Sequence, residues 1–160
     1  MGIFSGANDT DTDTGSDRED RPYLKVGQRV LSIEKAILRK STNENNSNTY
    51  KQWMVIIEFN VSENLSGDDM KTGKVIECLQ RDLDGDLTQR GKYAMARIKG
   101  FVAAAVGVAP TEVDEDTLGA VLDPDSDGSA LAGVSVVGTT TSFQTKAGGN
   151  FTPTTFLPLA

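Results

Sequence analysis

The chain has no histidine and a single cysteine, Cys78, in 160 residues. Without histidine the commonest general base, the usual Ser-His-Asp triad and the commonest metal ligand are all gone. A lone cysteine excludes an intramolecular disulfide and any C-x-x-C zinc pair. Phosphate-cradling loops are missing too, since neither G-x-x-x-x-G-K-[ST] nor G-x-G-x-x-G occurs. No apolar run reaches the ~18 residues of a membrane span, and the first residues lack the apolar core of a secretory signal. Hydrophobic residues make up 38%, enough for one modest core. These absences predict one soluble, cytoplasmic, non-enzymatic domain with no cofactor and no membrane partner.

Charge is plentiful but unevenly placed. The net charge is −7, yet residues 21–60 carry seven cations against Glu34, Glu44 and Glu58. Residues 1–20 carry six acids against Arg18, and residues 101–160 carry seven acids against Lys146. The acidic average therefore hides a basic stretch where the folded part begins, and nucleic acid stays open as a partner. Residues 1–20 offer almost nothing to bury after Phe4 and read as a disordered acidic arm. The domain is expected over 21–160.

Residues 23–40 read as a long, bent strand, with a helix on the spacing of Val30, Ile33 and Ile37 as the alternative. One period-two face holds Leu31, Ile33, Lys35, Ile37 and Arg39, and Lys35 fits it poorly. The Asn-rich run 41–49 is a hairpin connection. Residues 50–62 alternate cleanly, with Trp53, Val55, Ile57, Phe59 and Val61 on one face. A third strand spans 74–81. The period then becomes helical over 88–107, with Thr88 as cap, Gly107 as terminator and Gly100 as a mark of close packing. A short acidic helix spans 111–121, and strands follow at 131–143 and 151–159. Three meander strands, an intervening helix, a short second helix and two closing strands form the order of a five-stranded OB-like barrel. An open α+β sheet with helices on one face is the alternative.

The aspartate clusters tempt first. Asp123, Asp125, Asp127 and Gly128 match the start of a calcium loop, but its twelfth position is Val134 where a bidentate glutamate is required. Asp82, Asp84 and Asp86 read as a turn. Cys78 lies inside a strand pattern without a histidine partner and reads as a small core residue. No pair of carboxylates is singled out for acid–base work.

Basic and aromatic residues around the first hairpin are more informative. Arg39 and Lys40 leave strand 1, Tyr50, Lys51 and Trp53 lead into strand 2, and Lys74 and Arg81 bracket strand 3. The last loop adds Phe143 and Lys146. A cationic track with aromatic faces suits single-stranded nucleic acid, because phosphates recur regularly and every base has a π-face. Trp53 shares a face with Val55 and Ile57 and reads as core. Tyr50, on the opposite face and at the loop, is the better stacking candidate.

The runs YLKVGQRVLSIEKAILRKS, WMVIIEFNV and IKGFVAAAVGV, with the ending LAGVSVVG, KAGG and FTPTTFLP, resemble a family of small phage-encoded single-stranded DNA-binding proteins with an OB-like fold. These were formerly catalogued as a domain of unknown function, and the resemblance covers residues 23–159. It implies non-sequence-specific single-stranded DNA binding in phage replication or recombination, without catalysis. Homo-oligomerisation and contacts with phage replication or recombination proteins fit that role. The chain departs from the pattern in having no lysine between Lys40 and Lys51, and in carrying its acidic arm at the N-terminus. The competing expectation is a phage structural or assembly protein that binds no nucleic acid. A metal-using enzyme built on the aspartate loops is a third.

Overall fold

The computed structural model describes residues 21–159 apart from Asn48 and Ala147. The acidic arm read from the sequence lies outside the described residues. Strands β1 (Gly27–Lys40), β2 (Trp53–Asn64) and β3 (Thr72–Leu79) come first. Helix α1 (Gln89–Val106), a 3-10 turn (Pro110–Glu112) and helix α2 (Glu115–Val121) follow. The chain ends with β4 (Ser135–Thr140), β5 (Phe143–Gln144), β6 (Asn150–Phe151) and β7 (Thr154–Pro158).

The alternation of β2 does what its sequence demands: Val55, Ile57 and Phe59 are buried. β1 departs from the expected faces in its second half. Ile33 faces Phe59, but the next pair is Lys35 with Glu58, so Glu34 is an extra residue in the ladder. This bulge reverses the parity of the strand. Leu31 and Ile33 point inward before it, Ala36 is buried after it, and Leu38 packs against the core. Lys35 and Ile37 are thereby turned to the opposite face, and the poor fit of Lys35 disappears.

The sheet is antiparallel with order β3-β2-β1-β4-β7, and β5 and β6 form a separate small hairpin. It does not close into the expected barrel, because β3 and β7 are its edges. Two contacts explain why. α1 packs against both β3 and β7. The outward edge of β3 meets the segment before β1: Leu24 N donates to Lys74 O at 3.1 Å, and Lys74 N to Pro22 O at 2.9 Å. The result is mainly β with two helices, an open sheet whose core face is covered by α1.

The core joins both layers. Phe59, Phe101 and Phe156 meet ring to ring at 5.0–6.1 Å, packed with Leu31, Ile57, Ile98 and Val136. Burying each such side chain contributes ~1.5–3 kcal/mol. Thr88 caps α1 by accepting from Gly91 N at 3.1 Å, and Gly107 ends it in the left-handed region at φ 80°. Both caps are where the sequence placed them. Gly100 is a correction: a Cβ built there meets nothing within 4 Å, so it marks no close packing. Gly91 does, since its Cβ would fall 2.2 Å from Gln80 O, and the helix starts hard against the end of β3.

Two late strands are shorter than expected. Residues 131–134 form a turn, closed by Val134 N donating to Leu131 O, with Gly133 at φ 87°. At the C-terminal end, Phe151 belongs to the β5–β6 hairpin, and β7 starts only at Thr154, after Pro153.

Candidate nucleic-acid interface

The β1–β2 hairpin brings one group of candidates together. Lys40 and Trp53 are direct cross-strand partners, and the Lys40 ammonium lies 5.8 Å from the Trp53 ring centroid. Trp53 is 39% exposed, which corrects its assignment to the core. Its parity is indeed that of Val55 and Ile57, but it sits at the strand's first position and is not part of the core cluster. Ser41 N donates to Gln52 O, and Lys51 N to Ser41 O, at 2.8 and 2.9 Å. These bonds hold Lys51 at φ 65°, a region a side chain enters at a cost. In that conformation the Lys51 ammonium lies 5.3 Å from the Tyr50 ring. The Tyr50 hydroxyl donates to Glu44 at 3.4 Å.

Arg81 joins this end through Gln52. The Gln52 amide accepts from Arg81 N at 2.9 Å and donates to Arg81 O at 3.2 Å. One Arg81 guanidinium nitrogen donates to Gly85 O within its own loop at 2.8 Å. Arg39 pairs with Met54, so it stands on the face opposite Lys40 and Trp53. Lys40, Tyr50, Lys51, Trp53 and Arg81 thus share one end of the β2–β3 ribbon.

Lys74, Phe143 and Lys146 lie elsewhere. Lys74 is five positions from Leu79, the partner of Trp53, which is ~17 Å along the strand. There it meets the exposed Tyr23, with its ammonium 4.8 Å from the ring. Phe143 and Phe151 are opposite each other in the β5–β6 hairpin and both exposed, with Lys146 exposed at the turn between them. A small cleft of about 60 Å³ at the open edge of β3 is lined by Tyr23, Lys74 and Phe151. The Arg97 guanidinium lies over the Phe151 ring, its carbon 5.2 Å from the centroid.

Arg97 is fixed from α1. It donates to both carboxylate oxygens of Glu77 at 2.7 and 2.9 Å. Burial pushes the Glu77 carboxyl above its ordinary value, against the opposing pull of the Arg97 hydrogen bonds and charge. Burial likewise raises the Cys78 thiol, with Arg90 opposing and Glu77 adding to it, so a thiolate is disfavoured there.

Two cations counted in the basic stretch are spent internally. Arg29 is 1% exposed and donates to Asn64 Oδ1, Lys25 O and Asp68 O at 2.6–2.9 Å. Arg21 bonds Glu34 at the bulge and Phe59 O. The surface is therefore less basic than the count over residues 21–60.

The aspartate turns fold back on themselves. Asp82 accepts from Asp84 N and Asp86 N, and Asp123 from Asp125 N. Asp127 accepts from the Ser129 amide and hydroxyl, which hold its carboxyl below the usual range. Among the described residues no group of three or more acidic or thiol side chains is placed to hold a metal ion.

Tyr23 is the residue here that sequence reasoning passed over; Arg97 stood out in the sequence only as one of the helix cations, and Phe151 only as an aromatic just beyond the last loop. A Tyr-Leu before a strand and a Phe after a glycine turn carry no local signal of sharing a cleft. No protein-family model matches the chain, and no curated protein matches it either.

Proposed function

We propose that this protein binds single-stranded DNA without reading its sequence, in phage replication or recombination. The observation that carries the reading is a set of exposed or half-exposed aromatic rings, each with a cation over it. Lys40 with Trp53 and Lys51 with Tyr50 stand at one end of the β2–β3 ribbon, and Lys74 with Tyr23 at the other. A ring beside a cation can stack a base and neutralise its phosphate at the same point. The open sheet reads as a partly open form of the OB barrel, with its seam between β3 and β7. In such folds the strand 2–3 region and the adjoining loops are the ligand side. Backbone-dominated contacts of this kind carry no base-edge readout.

Fluorescence titration with oligo-dT across salt concentrations tests this. A base stacked on one ring contributes ~1–3 kcal/mol, so Tyr50→Ala and Trp53→Ala should each weaken binding by roughly 5- to 150-fold. Each phosphate contact adds ~0.7 to the magnitude of the log–log salt slope, and Lys40→Ala should lower the slope by about that amount. Wild-type protein that fails to bind at ~50 mM salt, the low end of the range where such contacts dominate, removes the reading. It then leaves the structural or assembly role.

A further inference from the structure

Helix α1 carries a charge pattern that its fold does not require. Its 18 residues contain the cations Arg90, Lys92, Arg97 and Lys99 and no acid, in a chain whose net charge is −7. Exposed helices ordinarily mix signs, because a glutamate four residues before a lysine supports the helix. α1 has no such pair. Arg90 and Lys92 also stand at its N-terminal end, where the helix dipole disfavours cations. Arg97 is answered inside the fold by Glu77. Among the described residues no carboxylate pairs with Arg90, Lys92 or Lys99. The acids that follow the helix, Glu112 and Asp114, accept from the Ala109 and Thr117 amides instead.

These cations border an open face. Arg90 and Arg97 lie two turns apart on one side of the helix, and Lys92 and Lys99 two turns apart on the other. Between the two rows stands Tyr93, 58% exposed. A Cβ built at Gly100, two turns on from Tyr93, meets nothing within 4 Å, so no other described element covers this side. The face adjoins the hairpin mouth as well. Gly91 lies against Gln80, the neighbour of Arg81, whose backbone is held by Gln52, the residue before Trp53.

We propose that this face of α1 is a second tract for single-stranded DNA, in which phosphates lie against Arg90, Lys92 and Lys99 and a base stacks on Tyr93. The proposal rests on the single-stranded DNA reading above and extends the strand's path from the hairpin mouth along the helix. The tract from Arg90 to Lys99 is ~14 Å long, a length over which one strand presents more than one phosphate. A bound polyanion makes the placement of Arg90 and Lys92 favourable, since it answers both the cations and the positive end of the helix. A ring set between cations is also what binding without base readout uses.

The test compares oligo-dT of ~5 and ~15 nucleotides, near the two ends of the range one such domain covers. Tyr93→Ala should weaken binding of the longer by roughly 5- to 150-fold and leave the shorter, which the mouth alone can fill, unchanged. Tyr93→Phe, which keeps the ring, should bind both as the wild type does. Lys92→Gln and Lys99→Gln should each lower the log–log salt slope for the longer by ~0.7. Arg90→Glu should weaken the longer while its Tm holds or rises, because the helix dipole favours an acid there, and a merely structural role would not part the two readouts. Thermal melts accompany every variant, and Tyr93→Leu replaces Tyr93→Ala should the latter unfold. Tyr93 and cation variants that bind the longer oligonucleotide as the wild type does, while Trp53→Ala weakens it, overturn the tract, leave the general reading standing and assign the face to an acidic protein partner. Equal losses on both lengths also overturn a separate tract. Wild-type protein that binds neither length overturns both readings.

Discussion

Arg97→Met should destabilise the protein by an amount the structure allows to be worked out. The Glu77 side chain is 8% exposed and that of Arg97 14%, and two charge-assisted hydrogen bonds join them. Removing the guanidinium strands a carboxylate under α1, a change that costs ~3–5 kcal/mol for buried pairs. Arg97 also lies beside the exposed Phe151, so some water reaches the pair, and the lower end of about 3 kcal/mol applies. For a domain of this size that is ~6–12 °C in Tm. The pH dependence has a fixed sign. Burial holds the folded Glu77 carboxyl above its ordinary value of 4.5, so its contribution is complete below 4.5 and is lost as pH rises through the raised value. In Arg97→Met the lowering influence of Arg97 is gone, and the folded value rises further. The deficit against wild type should therefore shrink as pH falls from 7.5 towards 5. Glu77→Leu combined with Arg97→Met should recover most of the loss, because no charge is left stranded. Urea unfolding of the wild type, both single variants and the double at the two pH values measures all of this. A single-variant cost below about 1 kcal/mol at pH 7.5, a deficit that grows on acidification, or a double variant as unstable as the sum of the singles (against the recovery expected of a buried pair) would refute the reasoning.

Two further substitutions separate backbone effects from binding. Gly100→Ala should stabilise by about 0.5–1 kcal/mol, because glycine weakens a helix interior and the new methyl meets nothing within 4 Å; a lower Tm would show that the helix face is tighter than it looks. Lys51→Gly should leave stability unchanged or raise it by up to ~1 kcal/mol by relieving the positive φ, yet weaken oligo-dT binding and lower the salt slope by about 0.7. Unchanged binding in a well-folded Lys51→Gly would take Lys51 out of the interface.

What the sequence revealed depended on whether the deciding physics was local. The caps of α1 were legible because Thr88 and Gly107 act on backbone groups a few residues away. β2 was legible because an unbroken strand keeps its period, so Val55, Ile57 and Phe59 had to share a face. β1 was legible only as far as Glu34. One bulged residue reverses every later side chain, and no local pattern shows it except the misfit of Lys35, which in hindsight was the signal. Trp53 shows a different limit. Its face was read correctly and its burial was not, because burial at a strand's first position depends on what packs over it, which the strand period does not show. The sheet's failure to close is also non-local, since Tyr23 and Leu24 dock on β3 from a segment that no strand period includes. The same docking places Tyr23 beside Lys74 and, across the seam, Phe151. The hairpin mouth could be found by reading along the chain, because its residues are neighbours in sequence. The place of Tyr23 beside Lys74 could not, because the two come from segments about fifty residues apart that meet only in the folded sheet.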